Sequence, residues 1–155
     1  MKSLLFAILI LISGSLHSQV LKDTATYAFP IGTRFTLELI RIDSVNYKYH
    51  ILSMEPFNGR IDYADTDSLF SKSPIEGTLE GIFAEGKNQN GPFKSVLVWR
   101  NNSDVYIDYK AKIDYDLSGR FYSTSVYPIL PRIKASELWD NNLKGIVIHK
   151  LQRKR

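Results

Sequence analysis

The chain reads as an all-β protein, mostly antiparallel: a single barrel or sandwich of about eight or nine strands, with one short C-terminal helix before the last strand. Three observations predict this. Apolar residues alternate with polar ones in run after run, the spacing of strands with one buried face. Glycine, asparagine and proline punctuate the runs at short intervals. The chain has 155 residues, no cysteine and 44% hydrophobic residues, enough for a packed core and too apolar for a mainly disordered chain.

The N-terminus is read apart from the fold. Met1-Lys2-Ser3 is followed by an unbroken apolar run, Leu4 to Ile12, then Ser13-Gly14-Ser15 and Leu16-His17-Ser18. A basic start, a short apolar core and small residues are the layout of a secretory signal peptide. Residues 1–18 are assigned to it, with cleavage expected after Ser18 and a rival site after Ser15. The apolar run is too short for a membrane span, which needs about 20 residues. One antiparallel β domain then occupies residues 19–155, with a basic tail at 150–155. A domain exported without disulfides must be held by packing, which favours a bacterial periplasmic or secreted protein.

The elements follow in order. Arg34 to Asp43 alternates at Phe35, Leu37 and Leu39, then changes parity at Ile40 and Ile42, which predicts a bulge or a strand buried on both sides. Asp43 to Asn46 is a turn, and Tyr47 to Met54 resumes as a strand. Asn58-Gly59 is a hairpin signal, so Arg60 to Tyr63 is read as a short return strand. A polar loop runs from Asp65 to Ile75. Gly77 to Glu85 is a strand, Lys87 to Pro92 a turn, and Phe93 to Arg100, Asp104 to Tyr115 and Arg120 to Tyr127 are strands. Pro128 and Pro131 end that run. Ser136 as N-cap, Glu137 in the first turn, Lys144 in the last and Gly145 beyond it predict the helix. Gly145 to Leu151 returns to strand. The order of meander, late helix and final strand is similar to that of lipocalin-type barrels in topology alone. Their Gly-x-Trp motif is absent, and Gly32-Thr33-Arg34 stands in its place.

Two hairpin registers locate a candidate site. A three-residue loop Asn101-Asn102-Ser103 would pair Trp99 with Val105, Leu97 with Ile107 and Ser95 with Tyr109. A turn with Gly119 in the left-handed position would pair Ile113 with Ser123, Ala111 with Ser125 and Tyr109 with Tyr127. Both registers give one inward face on which Ser95, Ala111, Ser123 and Ser125 leave a hollow bordered by tyrosines. Either the C-terminal helix fills it with Trp139 or Leu143, or a small amphipathic ligand does. The ligand-binding candidates are therefore Ser95, Tyr109, Ser123, Ser125 and Tyr127. Tyr106 and Tyr122 fall on the opposite face and are the candidates for contact with an envelope or secreted partner.

Positive charge is concentrated at one place. The formal charge is +4, yet outside Lys2 and the tail cations Lys150, Arg153, Lys154 and Arg155 there are 15 basic residues against 16 acidic ones. The tail is a frayed terminus or a weak contact for anionic surfaces. No basic stripe with interleaved aromatics points to nucleic acid.

Chemistry is sparse. Without cysteine, thiol catalysis and Cys-ligated metal sites are excluded. Neither a Gly-x-Ser-x-Gly elbow nor a His-Glu-x-x-His motif, a phosphate loop or a dinucleotide fingerprint occurs. His50 reads as solvated and His149 as inward. Asp62, Asp65 and Asp67 read as turn residues, without the glycine and terminal glutamate of a calcium loop. Glu80 and Glu85 fall on opposite faces of their strand. No catalytic residue, metal ligand or cofactor is assigned. The functional expectation is a non-catalytic binding protein: a carrier holding an amphipathic ligand inside a barrel, or an interaction module meeting an envelope protein or polysaccharide.

Overall fold

A computed structural model describes residues 27–87 and 92–154; the expected signal peptide and Arg155 lie outside them. The strands are β1 (Ala28–Pro30), β2 (Thr33–Arg41), β3 (Asn46–Pro56), β4 (Thr78–Glu85), β5 (Ser95–Asn101), β6 (Ile107–Asp114), β7 (Tyr122–Thr124), β8 (Lys134–Trp139) and β9 (Gly145–Arg153), with one 3-10 turn at Asp67–Leu69. They form one sheet in the order β7-β6-β9-β3-β2-β4-β5-β8, and β1 joins β9 beside β3. Every ladder is antiparallel. The sheet curls into a half-barrel, so the all-β class holds and one sheet, not a two-layer sandwich, carries it.

Alternation explains the core. Phe35 and Leu37 of β2, Leu79 and Phe83 of β4, Leu97 and Trp99 of β5, and Ile146 and Ile148 of β9 all turn inward and are buried. Gly81 gives the rings room: a Cβ there would lie 2.3 Å from the Phe35 ring. A second, smaller apolar cluster sits on the outer face of β4 and β5. Ile61 and Phe70, from the long loop after β3, cover Ile82, Ala84, Val96 and Val98 there. This explains why β4 and β5 are buried on both faces.

The expected C-terminal helix does not form. Residues 134–139 are β8, paired along all of β5 from Ser95↔Trp139 to Arg100↔Lys134. Helix propensity and caps are weak terms that packing overrides. As a strand, this segment buries Ala135 and Trp139 against the inner core and Leu138 against the outer cluster. A helix would present one stripe only.

The β5–β6 hairpin is also absent. β5 pairs with β4 and β8, whereas β6 pairs with β7 and β9. The chain between them crosses one mouth of the half-barrel, and Asn101-Asn102-Ser103 is buried instead of forming an exposed turn. Asn101 Nδ2 donates to the Val105 carbonyl at 2.8 Å, and Asn101 Oδ1 accepts the Ser103 amide at 2.9 Å. Amide side chains thus satisfy buried backbone groups that a ladder would otherwise pair.

The β6–β7 hairpin forms with Gly119 at φ 76°, as expected. Its register is one residue off: Ala111 meets Thr124 and Ile113 meets Tyr122. Leu117 is left-handed as well, at φ 59°, and Asp114 Oδ1 and Oδ2 accept the amides of Asp116 and Gly119. One residue of slip turns every side chain of β7 to the other face.

Other differences are smaller. Arg60 to Tyr63 is not a strand and contributes one isolated parallel bridge, Ile61↔Gly86. The parity change in β2 is neither a bulge of that strand nor double burial. The irregularity lies opposite, where β3 carries an extra residue at Leu52, and Ile40 and Ile42 are exposed. With no late helix and β9 between β6 and β3, the lipocalin-like order is not kept. No helix among the described residues is long and apolar enough to cross a membrane.

Candidate functional site

The interior is occupied by side chains. Phe29 stacks on Phe35 at 4.0 Å between centroids, Phe35 meets Trp99 edge-on at 5.5 Å, and Trp99 meets Tyr109 at 5.7 Å. Edge-to-face contacts of this kind add to the burial of the rings themselves. Trp99 and Tyr109 come from strands that are not paired, so their meeting fixes the curl of the sheet.

The five residues expected to line a ligand hollow do not converge. Ser95 is fully buried, and its hydroxyl is used twice. Ser95 Oγ accepts the Leu143 amide and donates to the Asn141 carbonyl, both at 2.8 Å. It thereby anchors the turn that carries Leu143 into the core. Tyr109 is buried on the inner face as expected. Ser123, Ser125 and Tyr127 are exposed, the last at 78%. The shifted β6–β7 register is the cause: Thr124 and Val126 turn towards the core in their place.

Glu137, which the sequence suggested as a first-turn helix residue, is a buried acid instead. Its Oε1 accepts the Tyr127 amide at 2.6 Å and the Tyr109 hydroxyl at 3.3 Å, and Tyr109 accepts Trp99 Nε1 at 3.0 Å. Burial raises the Glu137 pKa above the usual carboxylate value, against the two hydrogen bonds that lower it. Burial and the neighbouring Glu137 push the Tyr109 hydroxyl well up, which keeps it a donor. Beside this carboxyl the structure brings a phenol, an indole and a backbone amide. The arrangement is a tie between strands.

The outward tyrosines occupy two places. Tyr122 is 51% exposed, and its ring lies 5.6 Å from that of Tyr115 at one end of the half-barrel. Tyr106 lies at the other end and is half-buried. Its carbonyl accepts the Lys154 amide at 2.8 Å, and the Lys154 ammonium sits 5.5 Å above its ring. Tyr106 precedes β6 and Tyr122 pairs with Ile113 near its far end, so about 20 Å of strand separates them. They belong to different surfaces.

Three of the tail cations, Lys150, Arg153 and Lys154, are held by the fold. Arg153 is the last residue of β9, pairs with Ile107 of β6, and gives its amide to the Val45 carbonyl. Lys150 sits at a bulge with φ 51°, where two residues of β9 oppose one of β6. His149, expected to point inward, lies on the outer face opposite Lys110, next to inward Ile148, and burial together with Lys112, Lys150 and Lys110 lowers its pKa. The structure adds one cation that sequence reasoning missed. Arg41, at the end of β2, lines the same recess of about 480 Å³ as Ser44, Val45, Arg153 and Lys154. The odd-numbered run Phe35, Leu37, Leu39, Arg41 was the available signal, because it sets Arg41 on the inward register of β2.

Four of the acids singled out in the sequence are engaged. Asp62 caps the Ala64 amide and lies 3.3 Å from Lys87, and Asp67 pairs with Lys134. Glu80 pairs with Arg100 on the outer face of β4, and Glu85 with Arg60. His50 is exposed beside Glu38.

No protein-family model matches the chain, and no characterised protein or solved structure matches it.

Proposed function

We propose that this chain is an exported bacterial interaction module without catalytic chemistry, meeting an envelope protein or polysaccharide through its outer surface. The observation that carries this reading is the filled interior. A carrier would need space between Trp99, Tyr109 and Phe35, and these rings are in contact. The hydroxyls that would have lined such a space are tied into the backbone, in Ser95, or stand outside, in Ser123 and Ser125. The outside offers Tyr115, Tyr122 and Tyr127 along the β7 edge. Tyrosine gives a large, rigid, amphipathic contact at small entropic cost, which is why it is common among binding hot spots.

Export rests on the layout of residues 1–18, and the periplasm or the cell exterior is the expected location after cleavage. The reading is tested by immobilising the exported protein and measuring retention of envelope fractions and polysaccharides. Tyr122→Ala combined with Tyr127→Ala should lower retention about tenfold, the scale of losing a modest aromatic anchor. Retention unchanged by both substitutions would count against this surface.

A further inference from the structure

We infer that the mouth formed by the ends of β2 and β9 is a binding site for a phosphoryl group. Arg41 is opposite Tyr47, Tyr47 is opposite Leu151, and Arg153 is opposite Ile107. Directly opposed residues share a face, and Tyr47, Leu151 and Ile107 all pack on the inner core. Both arginines therefore stand on the inward register, at the rim where the core stops. Between them the β2–β3 turn contributes Ser44 and Val45, and Lys154 closes the recess.

These cations are not used up by acids. Neither Arg41, Arg153 nor Lys154 makes an ion pair among the described residues. Arg41 gives Nε to the Asp43 carbonyl at 2.8 Å, which steadies its side chain and leaves its terminal nitrogens for a ligand. Asp43, the acid of the β2–β3 turn, has its oxygens engaged by that turn, while its charge still acts on Arg41. Its Oδ1 accepts the amides of Val45 and Asn46, and its Oδ2 accepts Asn46 Nδ2. Lys154 is held over Tyr106 by its backbone bond and its ring contact.

Two arginines, a lysine and a serine lining one recess suit a tetrahedral, multiply charged oxyanion better than a single carboxylate. With Asp43 set against the three cations, a single carboxylate would still leave one positive charge unbalanced. Arginine forks match phosphate oxygens in pairs, and the bonds are charge-assisted. The phosphoryl group can belong to free phosphate or to a lipid headgroup. The inference is independent of the tyrosine surface, because the variants below leave Tyr122 and Tyr127 in place.

The test is a calorimetric titration of the exported protein with inorganic phosphate, paired with sedimentation on phosphatidylglycerol and phosphatidylcholine vesicles. Arg41→Gln and Arg153→Gln change exposed side chains and keep the backbone bonds. Lys94→Gln removes one charge at the opposite end as a control. Saturable phosphate binding, weakened about tenfold or more by each arginine variant and unchanged by the control, is the expected result. Binding to phosphatidylglycerol vesicles alone, with the same dependence on the two arginines, supports the site and assigns it to headgroups. Absence of both, or affinity equal in wild type and both arginine variants, overturns it.

Discussion

Glu137 Oε1 accepts the backbone amide of Tyr127 at 2.6 Å, and this bond ties together the two free edges of the sheet. Two residues along, Trp139 Nε1 donates to Thr124 Oγ1 at 3.0 Å across the same seam. β7 and β8 share no ladder, so side chains do the work of closure. An unpaired edge invites association with other strands, and lacing it with side chains is one way to protect it.

The seam predicts a pH dependence. The folded-state pKa of Glu137 is raised, so the folded protein holds this proton more tightly than the unfolded chain. Stability from this group is present in full below the ordinary carboxylate pKa and is lost as pH rises through the raised one. Glu137→Gln removes that titration. Melting temperature followed from about pH 4 to pH 7 should fall less steeply, or rise more, in the variant than in wild type. Parallel curves would show that Glu137 titrates normally.

Two serines expected to behave alike should differ. Ser95→Ala leaves the Leu143 amide and the Asn141 carbonyl without their partner, a loss of about 1–3 kcal/mol. Ser123→Leu changes an exposed position of β7 and should stay within about 0.5 kcal/mol of wild type. Urea unfolding of both variants measures the contrast, which vanishes if Ser123 faces the core.

Gly81 is the tightest point of the core. A Cβ there meets Phe35 ring atoms at 2.3 and 2.4 Å and Trp99 at 3.1 Å. Neither ring can withdraw, because each is wedged against another aromatic. Gly81→Ala should destabilise by about 1–3 kcal/mol, as overpacking does, and shift tryptophan fluorescence. Neutral behaviour would mean that the rings have slack.

Outside the barrel, Arg100 Nη2 lies 2.5 Å from Glu80 Oε2, with the guanidinium 5.1 Å from the Phe70 ring. Its Nη1 also donates to the Ser71 carbonyl, which pins the long loop to the sheet. Glu80→Ala should cost about 3 kcal/mol, since it strands a mostly buried charge. Adding Arg100→Met should recover part of that loss. A double mutant less stable than Glu80→Ala would contradict this account of the pair.

The sequence made strands legible wherever one face is wet. β2 and β3 alternate plainly, and Gly119 marks its turn. Topology was harder to read, because local register assumes that consecutive strands are neighbours. Trp99 and Tyr109 do meet, but through the interior rather than across a hairpin. Asn101-Asn102-Ser103 has the composition of an exposed turn; its polar atoms are satisfied internally, and only tertiary contacts reveal that. Ser136, Glu137 and Gly145 are sound helix signals, overruled by a strand edge and a second apolar cluster that take both faces of residues 134–139. Arg41 and Arg153 are 112 positions apart, and only the curl of the sheet brings them to one rim.

Native mass spectrometry of the purified protein tests the central claim most directly. A filled half-barrel with an external recognition surface predicts the mass of the polypeptide alone, with no organic adduct. An adduct of several hundred daltons that survives purification and leaves only on denaturation would contradict it. The interior would then open for a ligand, and the carrier reading would replace the interaction module.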